Sequence, residues 1–258
     1  MKATPEAITS AMQLYFSGES LRNIQKFLTL RGVHVTHVAV YKWIKRYVAL
    51  MEKYLDRISP HVSNTWRADE LFLKVKGNMK YLYALMDDET RFWIAKEVSD
   101  TKYTADITPM FRQGKRLVGK TPNVVITDGA FNFHTAIKNA YWRENRALAI
   151  KHIRHVHMAG DMNNQKMERM NGEIRDREKV VRGVKKEDSP LIEGLRIYHN
   201  FVRPHMGLNG KTPADLAGIR VKGEDKWVTL IQNAKMKNRS SESGTAERNP
   251  TNVQNGSA

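Results

Sequence analysis

The sequence predicts an α/β protein in which an all-helical N-terminal segment precedes helices layered on a mixed sheet. Three observations carry this. Residues 5–57 show apolar spacing of helices only, residues 66–98 alternate at strand period between turn-forming clusters, and from residue 104 onward helical stretches alternate with short apolar runs. The chain has 258 residues, 41% of them hydrophobic, enough for cores in one or two domains.

In the first segment Ile8, Met12, Tyr15 and Phe16 recur at helical spacing. Ser17-Gly18-Glu19-Ser20 then interrupts the pattern, with Ser20 as N-cap of a second helix marked by Leu21, Ile24, Phe27 and Leu28. That helix stops at Arg31-Gly32-Val33. A third lies within His34 to Val48, its apolar positions including Val38, Val40, Trp43, Ile44 and Val48. Two short helices joined by a glycine-bearing turn, with a basic helix following, have the arrangement of a helix-turn-helix. On the third helix Thr36, His37, Tyr41, Lys42, Lys45 and Arg46 are available to phosphates and base edges. Periodicity alone fits a plain three-helix bundle equally well; charge favours DNA, since residues 1–65 hold nine Lys and Arg against four acids.

Past a linker at Ile58 to Ser63 the period changes. Trp66 to Val75 alternates around Leu71, Leu73 and Val75, Lys76-Gly77-Asn78 turns, Met79 to Met86 is the second strand, Asp87-Asp88-Glu89-Thr90 turns again, and Arg91 to Val98 is the third. A helix over Thr104 to Leu117 follows, then the apolar run Val124-Val125-Ile126 closed by Thr127-Asp128-Gly129, a helix from about Phe131 to Trp142, and a short strand near Ala147 to Ile153. Helices across Asn164 to Lys179 and Pro190 to Phe201 complete the pattern. From about residue 235 the composition lacks apolar residues for a core and reads as a disordered tail.

Composition excludes several function classes. No cysteine is present, which removes disulfide frameworks, thiolate zinc fingers, iron–sulfur clusters and a cysteine nucleophile. No window of about 18 uninterrupted apolar residues suggests a membrane span, and the N-terminus lacks a signal-peptide pattern, so a cytoplasmic protein, nucleoid-associated when on DNA, is expected. The net charge of +16 asks for a polyanion, nucleic acid first among them. The excess is also local: between Lys138 and Lys186, thirteen Lys and Arg face six acids. Cationic surface of that kind holds a DNA strand, with affinity that falls steeply with salt.

Three carboxylates fall at informative places. Asp69 lies in the first strand, Asp128 closes the buried run that starts at Val124, and Glu168 lies on the helix that begins near Asn163-Asn164. Three carboxylates meeting without a Lys or Arg repel one another, so their convergence makes sense as a divalent-metal site. Two Mg²⁺ ions held there suit phosphodiester chemistry.

These stretches carry a resemblance. Trp66-Arg67-Ala68-Asp69-Glu70, the strand Tyr81 to Asp87, Ile126-Thr127-Asp128-Gly129, Asn163-Asn164-Gln165-Lys166-Met167-Glu168-Arg169 and Tyr198 to His205, with Leu208 and Thr212-Pro213 behind, resemble an Asp-Asp-Glu (DDE) transposase of a small prokaryotic insertion sequence. The resemblance covers about residues 60–218. It implies a ribonuclease-H-like core shared with retroviral integrases: a mixed five-stranded sheet flanked by helices, preceded by a helix-turn-helix. The implied division is residues 1–60 for DNA binding, 61–220 for catalysis, and 221–258 as a C-terminal extension.

Carried over residue by residue, the resemblance implies Asp69, Asp128 and Glu168 as ligands of two Mg²⁺ ions, with Mn²⁺ able to substitute. It also implies a transposase that binds terminal inverted repeats and target DNA as a homodimer or larger assembly. The Asn-Asn pair favours Glu168 over Glu173 and Glu178. Glu168 and Glu173 lie about 140° apart on a helical wheel, so one metal pair does not take both. Arg175 shares the face of Glu168, and Lys166, Arg169 and Arg175 are expected along bound DNA beside His37, Tyr41, Lys42, Lys45 and Arg46.

Other acids and histidines are read as structural. Asp87 and Asp88 suit a hairpin turn, Glu70 points to the opposite sheet face from Asp69, and Asp161 is a cap or loop residue. His152, His155 and His157 fit no common zinc spacing and read as a solvated basic strand end. Tyr198, Arg203, Pro204 and His205 receive no catalytic role. The rival readings are a structure-selective nuclease of the same fold and a non-catalytic DNA-binding protein.

Overall fold

The computed structural model describes residues 4–128, 130–142, 150–154, 165–185 and 189–246. Helices α1 (Pro5–Ser17), α2 (Leu21–Leu30) and α3 (His37–Leu55) come first. Each begins at a hydroxyl cap: Thr4 accepts from the Ala7 N–H, Ser20 from Asn23 and Thr36 from Ala39. Thr36 is therefore a cap, and α3 runs a full turn and more past Val48 because Met51 and Leu55 extend its buried stripe.

Strands β1 (Thr65–Val75), β2 (Asn78–Asp87) and β3 (Trp93–Ser99) form the antiparallel meander. Helix α4 (Thr104–Val118) crosses over to β4 (Val124–Thr127), and α5 (Phe131–Ala140) leads to β5 (Lys151–Arg154). β4 pairs parallel with both β1 and β5, so the sheet is mixed and five-stranded, in the order β3-β2-β1-β4-β5. Helices flank it, as the fold class expected from the sequence requires. Trp66 and Ala68 point to the α4 and α5 side, where Trp66 meets Tyr141 edge-on. Arg67, Asp69, Leu71 and Leu73 point to the other face, covered by α6 (Gln165–Val181).

After α6 come α7 (Leu191–Ile197), a π-helical turn over Tyr198–Val202, a 3₁₀ turn over Met206–Leu208 and the short α8 (Pro213–Leu216). The expected helix over Pro190 to Phe201 thus ends in a wider turn that the sequence pattern does not mark. The final helix, α9 (Lys226–Ala246), corrects the expectation of a disordered tail from about residue 235. Trp227, Leu230, Ile231 and Ala234 recur at helical spacing and are buried, and the helix they nucleate carries on past the last of them. Phe16 of α1 stacks on Trp227 and on Tyr198, the Trp227 indole N–H donates to Gln13, and Arg196 of α7 pairs with Asp56 just after α3. The three N-terminal helices thereby share one buried apolar cluster with the sheet and α9.

Candidate metal and DNA-processing site

Register alone brings two of the three carboxylates together. On the neighbouring parallel strands Arg67 pairs with Ile126. Two residues further along each chain stand Asp69 and Asp128, so their side chains leave the same sheet face side by side. Asp69 is 7% exposed. Its Oδ1 accepts from the Glu70 N–H at 2.9 Å and its Oδ2 from the Asn171 side-chain amide of α6 at 2.8 Å. Asp128 sits at the C-terminal end of β4 and accepts from the Ala130 N–H at the start of α5.

Burial, followed by the charge of Asp128, pushes the Asp69 carboxyl up to about 7 despite the two hydrogen bonds it accepts. The buried Arg67 guanidinium, two residues from Asp69 on the same face, is engaged with another carboxylate: its Nε lies 2.5 Å from Asp88. Two crowded, oxygen-only donors of like charge with no ion-paired cation among the described residues fit a hard divalent cation.

Glu168 lies on the first turn of α6 and is exposed, and among the described residues no three His, Asp or Glu side chains gather closely enough to hold a metal. The structure thus joins Asp69 to Asp128 and leaves Glu168 apart from them. Helical geometry places Glu168 about 60° around α6 from Asn171, which already touches Asp69. Asn171 was not singled out in the sequence. An Asn three residues after the Glu is the signal that finds it, since i and i+3 share a helix side.

The remaining candidates divide into bound and exposed. Lys166 donates to both the main-chain and side-chain oxygens of Asp88 at 2.8 Å, so its ammonium anchors α6 to the β2–β3 turn. Burial favours the neutral form of Asp88, but Lys166 and Arg67 outweigh it and hold the carboxyl below its ordinary range. Asp87 is fully buried and accepts from the N–H and hydroxyl of both Ser63 and Thr90, the turn role expected of it. Glu70 pairs with Lys102 across the opposite face from Asp69. Lys42, Lys45, Arg46, Arg169 and Arg175 are exposed. His37 and Tyr41 line a groove of about 770 Å³ with Arg22, Arg182 and Lys185, between α3 and the end of α6.

His152 corrects the picture of a solvated basic strand end: it is half-buried, bonds Thr127 Oγ1 at 2.9 Å and stacks on His134. Burial, with the neighbouring His134 and Arg154 charges, lowers it to about 4, so it is neutral at pH 7. Gly129, His155, His157, Asp161, Asn163 and Asn164 lie outside the described residues.

A family model described as a DDE domain matches residues 63–205. Among curated proteins, the transposase for insertion sequence-like element IS431mec of Staphylococcus aureus is 33% identical over 129 residues, covering 48% of this chain and 55% of the relative. The transposase for insertion sequence element IS257 in transposon Tn4003, also from Staphylococcus aureus, matches to the same extent. The chain thus spans about half the length of these relatives. Among solved structures, the HTLV-2 integrase catalytic core domain in complex with magnesium, in its trimeric form, is 20% identical with a TM-score of 0.43, over 62% of this chain and 97% of that one. The simian T-cell lymphotropic virus intasome in complex with PP2A regulatory subunit B56 gamma is 15% identical with a TM-score of 0.46, over 76% and 71% respectively. No helix among the described residues is long and apolar enough to cross a membrane.

Proposed function

The chain belongs to the DDE-domain family, and from that premise we propose that it is an insertion-sequence transposase whose Asp69, Asp128 and Glu168 hold a pair of Mg²⁺ ions, with Mn²⁺ able to substitute. The observation that carries the reading is the Asp69–Asp128 pair, set side by side by strand register and with no ion-paired cation among the described residues. When bound, the divalent ions supply Lewis acidity for in-line displacement at a phosphodiester.

The protein's own residues do the rest. Asp69 and Asp128 present fixed oxygens from a rigid sheet, and Asn171 orients Asp69 by donating to its Oδ2. Glu168, exposed on the first turn of α6, turns inward once the charge of the two aspartates is offset. Arg169 and Arg175 on the exposed side of the same helix lie along the strand to be cut. His37, Tyr41, Lys42, Lys45 and Arg46 of α3 engage the terminal inverted repeats. Water attacks a phosphodiester at the element end to free a 3′-OH, and that hydroxyl then attacks target DNA, with a homodimer or larger assembly bringing two ends together.

The test is a joining assay with a precleaved 3′-OH end and a plasmid target in Mg²⁺. Joined product with the native chain, and none with Asp128→Asn, is expected. Cleavage without joining points instead to a nuclease of the same fold, and cleavage that survives Asp128→Asn refutes the site.

A further inference from the structure

The segment from Tyr198 to His205 is stitched to the edge of the sheet. The Asn200 side chain accepts from the Trp93 N–H at 2.8 Å and donates to the Trp93 carbonyl at 2.9 Å, pairing with β3 as another strand does. His199 Nε2 lies 3.0 Å from the Arg91 carbonyl and His205 Nε2 lies 3.0 Å from the His199 carbonyl, so both nitrogens carry protons and donate. From this anchored segment the Arg203 guanidinium reaches across to Glu173 of α6 in an ion pair, and His199 Nδ1 stands 3.9 Å from the same carboxylate. Burial alone favours the neutral carboxyl, yet the His199 imidazole and the Arg203 guanidinium keep Glu173 below its ordinary range.

Position around the helix gives this pair a consequence. Met167, Met170, Ile174 and Arg177 are the buried stripe of α6. Asn171 borders that stripe on one side and Glu173 on the other, about 160° apart around the axis, and each is fixed by a polar partner. Glu168 lies just beyond Asn171. A helix held at both borders of its buried stripe is not free to roll, so the side of the axis from which Glu168 projects is fixed as well.

We propose that the Glu173–Arg203 ion pair, seated on the Tyr198 to His205 segment, is a positioning device that fixes the rotation of α6 and thereby aims Glu168 at Asp69 and Asp128. It rests on the reading of Glu168 as the third metal ligand. Glu173 and Arg203 act through Glu168 and need touch neither metal nor DNA.

The test is Mn²⁺ binding by the full chain, followed by the paramagnetic resonance of the free ion. Glu173→Gln and Arg203→Gln are each expected to weaken Mn²⁺ binding at least about fivefold, less than the about 10- to 100-fold of lost outer-shell partners because the pair acts on the metal only through Glu168, with DNA affinity unchanged. In a Glu168→Gln background, Glu173→Gln is expected to add nothing, because coupled residues are non-additive. Exchanging the charges, Glu173→Arg with Arg203→Glu, is expected to restore binding. Wild-type affinity in both single variants, or full additivity with Glu168→Gln, overturns the proposal. Should a Gln variant not fold, Arg203→Lys decides: an intermediate loss is expected, and wild-type binding overturns it. Failure of the underlying site reading looks different, since Asp69→Asn and Glu168→Gln then leave Mn²⁺ affinity untouched.

Discussion

Asp69→Asn is expected to abolish strand cleavage and, in the same protein, to raise the melting temperature of the metal-free form at pH 8. The first effect follows from losing a carboxylate ligand: removal of groups that merely support a ligand costs about 10- to 100-fold, so loss of the ligand itself is expected to exceed about 100-fold. The second follows from the carboxyl being pushed up to about 7 by burial and by Asp128. An unfolded chain releases that proton near pH 4, whereas the folded state holds it until about 7. Across this window the folded state binds more protons, so stability falls as pH rises, by up to about 4 kcal/mol for a shift of this size. Structural relaxation reduces the figure, and about 1–3 kcal/mol is expected, or a few degrees in Tm for a chain of this length. Asn removes the charge, keeps a carbonyl oxygen for the Glu70 N–H, and turns its own amide N–H toward Asn171, which accepts it once its side-chain amide flips. The gain should vanish below about pH 4, where the Asp69 carboxyl is neutral in the unfolded chain as well as in the folded one. Calorimetry of both proteins in chelator at pH 4 and pH 8 checks it, and equal melting temperatures at pH 8 count against the burial and repulsion assigned to Asp69.

Gly194→Ala is expected to be the most damaging small substitution outside the carboxylate site. A Cβ at Gly194 of α7 falls 2.1 Å from Phe16 Cζ and 2.4 Å from Cε1, well inside contact distance. Phe16 is 3% exposed and its ring is bounded by Tyr15, Tyr198 and Trp227, so it yields only by leaving these rings for the cleft of about 330 Å³ that it lines. Overpacking in such a core costs about 1–3 kcal/mol or more. The strain falls where α1 meets α7 and α9, so DNA-end binding should weaken together with stability. Phe16→Leu in the same chain makes room for the methyl group and is expected to recover part of the loss. Thermal melts of the single and double variants decide, and a Gly194→Ala protein that melts with the native chain contradicts the packing described.

What the sequence disclosed, and what it concealed, follows from the range of the interactions involved. Asp69 and Asp128 were legible on their elements because strand alternation and the turn after Thr127 locate them, whereas the register that sets them on one face depends on the pairing of β1 with β4. The five strands and the three N-terminal helices were legible for the same local reason, although of their caps only Ser20 was, and Thr4 and Thr36 were not. The Arg67–Asp88–Lys166 cluster was not, since its members come from β1, the β2–β3 turn and α6, and their meeting depends on how α6 crosses the sheet. The same crossing decides that Asn171, and not Glu168, touches Asp69. His152 misled because its type suggests charge, while burial, followed by the His134 and Arg154 charges, keeps it neutral. Helix α9 was readable and overlooked: Trp227, Leu230, Ile231 and Ala234 form an unbroken apolar stripe ahead of the polar stretch that suggested disorder.

The central claim is that Asp69 and Asp128 form the floor of a divalent-metal site completed by Glu168. Anomalous diffraction from crystals grown with Mn²⁺ tests it most directly. The account predicts Mn²⁺ coordinated by both aspartates, with a Glu168 carboxylate oxygen turned in to join them. Crystals in Mn²⁺ that show no ion at the Asp69–Asp128 pair, or an ion there with Glu168 still directed to solvent, contradict it.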